Sequence, residues 1–146
     1  MTDYVLGFYF GKDREDVYLI EKLKPAWQKG KFNGIGGHIE EGETPHAAMV
    51  REMHEETGLV VPHWRHYATM VDGDARIVVF DAASEEKWLP LLPSNPTAEK
   101  VIVANVPSII LNRFVPRYPV IGNLPWLITM ALDPNAHNMG VVYGGG

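Results

Sequence analysis

The chain of 146 residues contains no cysteine, which excludes disulfide bonds, thiolate zinc sites and cysteine nucleophiles. It also lacks an excess of basic residues. The sequence has 13 lysines and arginines but 18 aspartates and glutamates, which gives a net charge of −5. Such an acidic chain is poorly suited to bind a nucleic-acid polymer, although it can bind a small phosphate ligand through a divalent metal. We therefore expect no nucleic-acid polymer as a partner.

Two further features are missing from the sequence. The first ten residues carry an acid at Asp3 and no basic stretch, so they do not resemble a signal peptide. No apolar run is long enough to cross a bilayer. We therefore expect a cytoplasmic protein with no membrane partner. The length favours a single domain over residues 1–146, with a disordered glycine tail at residues 143–146.

The pattern of apolar residues predicts strands at residues 5–10, 16–23 and 100–106, and a hairpin of residues 65–72 and 75–82. It predicts a helix at residues 44–57, with Thr44 as N-cap and Gly58 just after the last turn. A closing helix is predicted at residues 123–133. Its buried stripe would consist of Leu124, Leu127, Ile128, Ala131 and Leu132. Antiparallel strands with few helices predict an α+β sandwich and not a doubly wound parallel sheet.

The first predicted helix carries Glu52, Glu55 and Glu56. At about 100° per residue, Glu52 lies between the other two on one face, so the three carboxylates converge within one turn. A solvated acidic face is the simpler explanation of the glutamates alone. However, like charges at this spacing repel each other, and a hard cation would relieve the repulsion. Carboxylates without thiols or clustered histidines favour Mg²⁺, Mn²⁺ or Ca²⁺ over Zn²⁺. Mg²⁺ is commonly shared with substrate phosphates, so we expect Mg²⁺, with Mn²⁺ as a substitute.

Residues 37–59, GHIEEGETPHAAMVREMHEETGL, resemble the Nudix box GX5EX7REUXEEXGU, in which U is a bulky aliphatic residue. Every fixed position is filled, by Gly37, Glu43, Arg51, Glu52, Glu55, Glu56 and Gly58. Met53 and Leu59 fill the two apolar positions. The resemblance implies an α/β/α sandwich with a mixed sheet and a catalytic loop–helix–loop.

The same resemblance implies a metal-dependent hydrolase of a diphosphate linkage in nucleoside diphosphate-X compounds. It assigns the metal to the Gly37 carbonyl and to Glu52, Glu55 and Glu56, among which Glu52 and Glu56 are the more direct ligands. It pairs Glu43 with Arg51, which would orient the acids. The general base stays open between Glu56 and Glu99, and a solvated loop acid explains Glu99 equally well.

The substrate is less well specified. The run Ile35-Gly36-Gly37 lacks the commoner proline, and it is similar to the corresponding run of hydrolases that remove oxidised purine nucleoside triphosphates. This favours a nucleoside triphosphate, giving monophosphate and pyrophosphate. A nucleotide sugar, a dinucleoside polyphosphate and a non-catalytic nucleotide sensor are the alternatives. The expected partner is thus a small nucleotide, and a homodimer is one option for the assembly, because many relatives dimerise.

A nucleotide base needs a stacking surface and a few hydrogen-bonding groups. The candidates are the aromatic residues Trp27, Phe32, Trp88 and Trp126, together with the amide of Asn33. Core packing explains each aromatic residue taken alone. Lysines before the box, including Lys22, are candidates to attract phosphates.

Overall fold

The computed structural model describes residues 1–23, 26–93, 99–111, 124–136 and 139–142, with the side chains of Trp27, Met139, Val141 and Val142 excepted. Within these residues the chain forms a sheet of eight strands. The strands are β1 (Thr2–Phe10), β2 (Asp16–Glu21), β3 (Phe32–Asn33), β4 (Ile35–His38), β5 (Arg65–Asp72), β6 (Ala75–Ala83), β7 (Val101–Asn105) and β8 (Met139–Val142). The helices are α1 (Pro45–Thr57), α2 (Val106–Leu111) and α3 (Leu124–Ala131), and a 3-10 turn covers Ala26–Gln28.

The sheet is mixed, and β1 lies near its centre. β1 pairs parallel with β6, antiparallel with β4 along its first half, and antiparallel with β2 at its far end. β5 joins β6 as the predicted hairpin and pairs parallel with β8, while β2 carries β3 and β7. The predicted α+β class with a mixed sheet is therefore confirmed.

Alternation along β1 separates two cores, because successive side chains of a strand point to opposite faces. Leu6, Phe8 and Phe10 pack with α2 and α3. Val5 belongs to the other core, which includes Met49 of α1. The sheet thus lies between α1 on one face and α2 and α3 on the other.

Local signals define the ends of α1, as predicted. The Thr44 hydroxyl accepts a hydrogen bond from the backbone N–H of Ala47, and Pro45 begins the helix. Gly58 ends it with a left-handed φ of 78°, and its N–H donates to the carbonyl of His54 at 2.8 Å. The helix approaches the sheet closely, because the Met49 thioether lies where a side chain at Gly7 would be.

Several elements differ from the predictions. The glycine-rich segment after Asn33, which predicts either tight turns or a close approach of the backbone, is a strand, β4. The close approach is observed, because Gly36 lies against the backbone of Val5 where no side chain fits. The second strand ends at Glu21. The stripe of α3 is buried as predicted except for Leu132, which is 37% exposed because the helix ends one residue earlier.

The short helix α2 and the strand β8 were not predicted at all. α2 has six residues, too few to show a helical period, and β8 is a four-residue strand that depends on its neighbour β5. The predicted glycine tail and residue 123 lie outside the described residues. None of the described helices is long and apolar enough to cross a membrane.

Candidate active site

The acidic face of α1 lies against β4. Glu52 is buried, with a side chain 12% exposed, whereas the side chain of Glu55 is 56% exposed. A methyl group added at Gly37 would overlap Oε1 of Glu52. The carboxylate of Glu52 therefore occupies space that only a glycine at this position of β4 leaves open.

Arg51 connects the acidic face to the preceding loop. Its Nε and Nη2 donate to the two carboxylate oxygens of Glu43 at 2.8 and 3.0 Å, and Nη2 also donates to the carbonyl of His38 at 3.0 Å. Its Nη1 donates to Glu52 at 2.9 Å and to Glu55 at 3.3 Å. A bidentate arginine–carboxylate pair has a well-defined geometry, so Arg51 fixes the position of Glu52.

Glu43 is held as a charged group. The hydrogen bond from Arg51 lowers the pKa of the Glu43 carboxyl, and the backbone N–H of Glu40 donates to it as well, at 3.0 Å. The loop before α1 is therefore fastened to the helix through one side chain pair.

Glu56 is the most perturbed acid of the site. Burial is the largest cause that raises its pKa to about 7, followed by the nearby charges of Glu99 and Glu52, while Lys22 acts in the opposite direction. Burial also raises the pKa of Glu52, although its bond to Arg51 opposes the shift. The site concentrates negative charge that the protein compensates only in part.

Glu99 reaches this site from the segment before β7. The backbone N–H of Leu23 donates to Glu99 at 2.7 Å, and Nζ of Lys22 donates at 3.4 Å. Glu99 is close enough to raise the pKa of Glu56. The structure thus brings Glu99 and Lys22 together with the box glutamates. In the sequence, Glu99 follows Glu56 by 43 residues, and Lys22 precedes Glu52 by 30 residues.

The side chains of this site suit a hard divalent cation, because they offer carboxylate oxygens. The carboxylates are close enough together to raise the pKa of Glu56, and that of Glu52 lies against Gly37. Among the described residues, no three histidine, cysteine, aspartate or glutamate side chains already form a coordinating group. Arg51 engages Glu52 and Glu55, which leaves Glu56 as the acid that lacks a described salt bridge.

The candidate base-binding residues are dispersed. Phe32 packs against the core beside α2 and α3, and Oδ1 of Asn33 accepts a hydrogen bond from the Gly34 N–H at 2.8 Å. Trp88 and Trp126 are 57% and 67% exposed. The ammonium group of Lys87 lies 5.2 Å from the centre of the Trp88 ring. The side chain of Trp27 lies outside the description.

One charged cluster was missed by the sequence analysis. Asp81 is 1% exposed and pairs with Arg14 at 2.8 Å and with Arg65 at 2.6 Å. The three residues are far apart in sequence, so no spacing rule connects them. The available signal was an aspartate within the apolar run of β6, because a buried charge requires a partner.

Part of the chain is similar in sequence to a known enzyme. The chain is 35% identical over 52 residues to the 8-oxo-dGTP diphosphatase of Escherichia coli (strain K12), an alignment that covers 36% of this chain and 40% of that protein. The chain thus aligns with less than half of the length of that relative.

Solved structures share the fold over nearly the whole chain. A NUDIX hydrolase from Nitrosomonas europaea has a TM-score of 0.73 at 16% identity, covering 98% of this chain and 78% of its own. The mutator MutT protein from Bacillus halodurans has a TM-score of 0.67 at 19% identity, covering 99% and 92%. The NUDIX domain of Shewanella oneidensis NrtR, complexed with ADP ribose, has a TM-score of 0.68 at 18% identity, covering 89% and 85%.

The family is established by the sequence match. Residues 3–103 match the family described as NUDIX domain, and this range includes the box, β1 except its first residue, β2 to β6 and most of β7. The chain belongs to the Nudix family.

Proposed function

We propose that the chain is a metal-dependent hydrolase that cuts a diphosphate linkage in a nucleoside diphosphate-X compound. The favoured substrate is a nucleoside triphosphate, including oxidised purine forms, and the products are a monophosphate and pyrophosphate. One observation carries the proposal: Glu52 lies against Gly37, and Glu56 is half-buried close enough to Glu52 and Glu99 that burial and their charges raise its pKa to about 7.

The metal site consists of Glu52, Glu56 and the Gly37 carbonyl, with Glu55 at its exposed rim. A bound Mg²⁺, with Mn²⁺ as a substitute, would neutralise charge on the phosphate oxygens and lower the pKa of the attacking water. Arg51, fixed by Glu43, holds Glu52 in place. Arg51 is thus a positioning residue.

The reaction is the attack of a water oxygen on phosphorus, with cleavage of the bond from that phosphorus to the bridging oxygen. Glu56 is the favoured group to take the proton of the water, because it is a half-buried carboxylate beside Glu52 and Glu99. Glu99, held by Lys22 and the Leu23 N–H, is the second candidate for the base.

The substrate class draws its support from relatives and from the loop before the box. A relative carries the name 8-oxo-dGTP diphosphatase. That name indicates the same substrate class, oxidised purine nucleoside triphosphates, as the run Ile35-Gly36-Gly37. A structural neighbour was solved with ADP ribose, which supports the wider class of nucleoside diphosphates linked to another group. Phe32 and Asn33, on β3 just before β4 in the chain, are the base contacts that we favour.

Nucleotide sugars and dinucleoside polyphosphates are the alternative substrates. A sensor without catalysis is the alternative from another class. The complete set of box carboxylates together with Arg51 favours catalysis over that alternative.

The test is a product assay. The purified chain is incubated with Mg²⁺, and then with Mn²⁺, and with normal and oxidised nucleoside triphosphates, nucleotide sugars and dinucleoside polyphosphates. Chromatography then resolves the products. We expect metal-dependent release of monophosphate and pyrophosphate from a triphosphate. Tight nucleotide binding without turnover of any compound, with either metal, would replace the hydrolase by the sensor.

A further inference from the structure

A second site lies at the other end of α1. A cleft of about 560 Å³ is lined by Arg14, His46, His63, Trp64, Arg65 and Asp81 and closed by the end of α3. His46 precedes Glu56 by ten residues, which corresponds to roughly 15 Å along the helix axis. The cleft is therefore separate from the acidic face, and its volume is typical of small-molecule sites.

Two arginines and two aspartates set the charge of this cleft. Asp81 pairs with both arginines, and Asp133 lies near Arg65, so the four charges balance. Arg65 uses all its nitrogens within the fold, donating to Asp81 and to the carbonyls of Ala131, Asp133 and Ala136. Arg65 is thus an anchor for the end of α3, and Arg14 is the arginine that can offer hydrogen-bond donors to a ligand.

Arg14 is only partly engaged. Its Nη1 makes both of its hydrogen bonds, to Asp81 at 2.8 Å and to the Ala131 carbonyl at 3.0 Å. Within the described residues, its Nε and Nη2 have no acceptor. Two donors of a guanidinium that lines the cleft thus remain available to a ligand.

The backbone of Arg14 is strained to reach this position. Its φ is 57°, the left-handed region that side chains other than glycine rarely adopt. A hydrogen bond from its N–H to the Gly11 carbonyl at 2.9 Å and the Phe10 ring, 4.8 Å from its guanidinium carbon, hold it there. Strain of this kind is often retained at binding sites.

We propose that this cleft binds a phosphate group, free or at the end of a nucleotide, with Arg14 as the main donor and His46 and His63 beside it. A guanidinium fork matches two oxygens of a phosphate. His46 and His63 are exposed on the cleft wall and add donors from other directions. The buried Trp64 supplies an apolar wall.

The test is titration of inorganic phosphate into the full chain in EDTA, followed by calorimetry and by ¹H–¹⁵N NMR of the arginine side chains. Without metal the acidic face repels anions, so the result does not depend on the proposed hydrolysis. We expect saturable binding and a shift of the Arg14 Nε signal. Binding should weaken at least about fivefold in Arg14→Gln, as expected for loss of one charge-assisted bond.

Arg76→Gln is the matched control, because Arg76 pairs with the exposed Asp3 and lies outside this cleft. It should bind phosphate as the unaltered chain does. Equal weakening in both variants, or no saturable binding at all, would overturn the proposal.

Arg14 also anchors α3, so further variants keep the test independent of folding. His63→Asn alters an exposed side chain and should weaken binding, whereas Asp133→Asn removes a negative charge near Arg65 and should strengthen it. Circular dichroism checks that each variant is folded. Unchanged affinity in both variants would count against the site.

The ligand source is resolved by comparing inorganic phosphate, AMP and acetate. Tighter binding of AMP identifies the phosphate of a nucleotide, and equal binding identifies free phosphate. Acetate that binds as well as phosphate would overturn the assignment to phosphate.

Discussion

At the scale of single residues, Glu56 combines burial with two acidic neighbours, and this combination makes it the first residue to alter. In Glu56→Gln we expect turnover to fall at least about 100-fold, because the change removes a metal ligand and the favoured base. The measurement is steady-state hydrolysis at saturating Mg²⁺. Glu41→Gln, which alters an exposed acid in the preceding loop, is the control and should retain turnover. Near-normal activity of Glu56→Gln would remove Glu56 from the mechanism.

The raised pKa of Glu56 also predicts how stability depends on pH. Its pKa moves from 4.5 to about 7 on folding, so the folded state holds this proton more tightly than the unfolded state. The stabilising contribution is complete below about pH 4.5 and is lost as the pH rises through about 7.

In urea unfolding without metal, the chain should therefore lose about 1–3 kcal/mol relative to Glu56→Gln between pH 5 and pH 8. Glu55→Gln, at the exposed rim, is the control and should not remove this loss. A constant difference between the chain and Glu56→Gln across the range would contradict the shift.

Gly37 is a second test at this scale. In Gly37→Ala the new methyl group would displace the carboxylate of Glu52, so we expect metal affinity to fall about 10- to 100-fold. Mn²⁺ titration by calorimetry measures this loss. Gly140→Ala, at a position open to solvent space, is the control. Unchanged affinity in Gly37→Ala would separate Glu52 from the metal site.

The sequence predicted the residues of the box well, because their spacing is local and a helix converts spacing into direction. It left Glu99 undecided and could not predict the contact of Lys22 with it, because that contact joins the residue after β2 to the segment before β7. The cluster of Arg14, Arg65 and Asp81 also depends on tertiary structure alone.

At the scale of elements, helices α1 and α3 were predictable from local sequence. The caps of α1 and the 3.6-residue period of apolar residues in α3 are visible without knowledge of the fold. β4 was not predicted as a strand, because its glycines indicate either a turn or a close approach of the backbone unless the neighbouring strand is known. β8 was missed because a short strand is defined by its partner, β5.

The end of α3 is fastened to the sheet through Asp81. In Asp81→Asn we expect a loss of about 3 kcal/mol of unfolding free energy, because two arginines lose the charge that compensates them. Urea unfolding at pH 7 measures it. Asp3→Asn breaks an exposed pair with Arg76 and should cost no more than about 1 kcal/mol. Equal costs for the two variants would show that burial of Asp81 contributes nothing.

At the scale of the whole molecule, the two cores share β1, and neither has a complete sheet without it. We therefore predict a single domain that unfolds in one cooperative transition. Tryptophan fluorescence and far-ultraviolet circular dichroism should give coincident urea midpoints. Separate midpoints would divide the chain into independent units. Homodimer formation and a cytoplasmic location stay predictions, and sedimentation of the purified chain tests the first.

The contact between Gly7 and Met49 has a consequence for how such sequences diverge. The thioether of Met49 fills the space of a side chain at Gly7, so an alanine at residue 7 requires the Met49 side chain to move or a shorter residue at residue 49. The two positions should therefore change together among descendants of this sequence. Met49 lies one turn before Glu52 on α1, so paired substitutions at residues 7 and 49 would also move the acidic face. Selection for activity should therefore limit which residues these two buried positions accept.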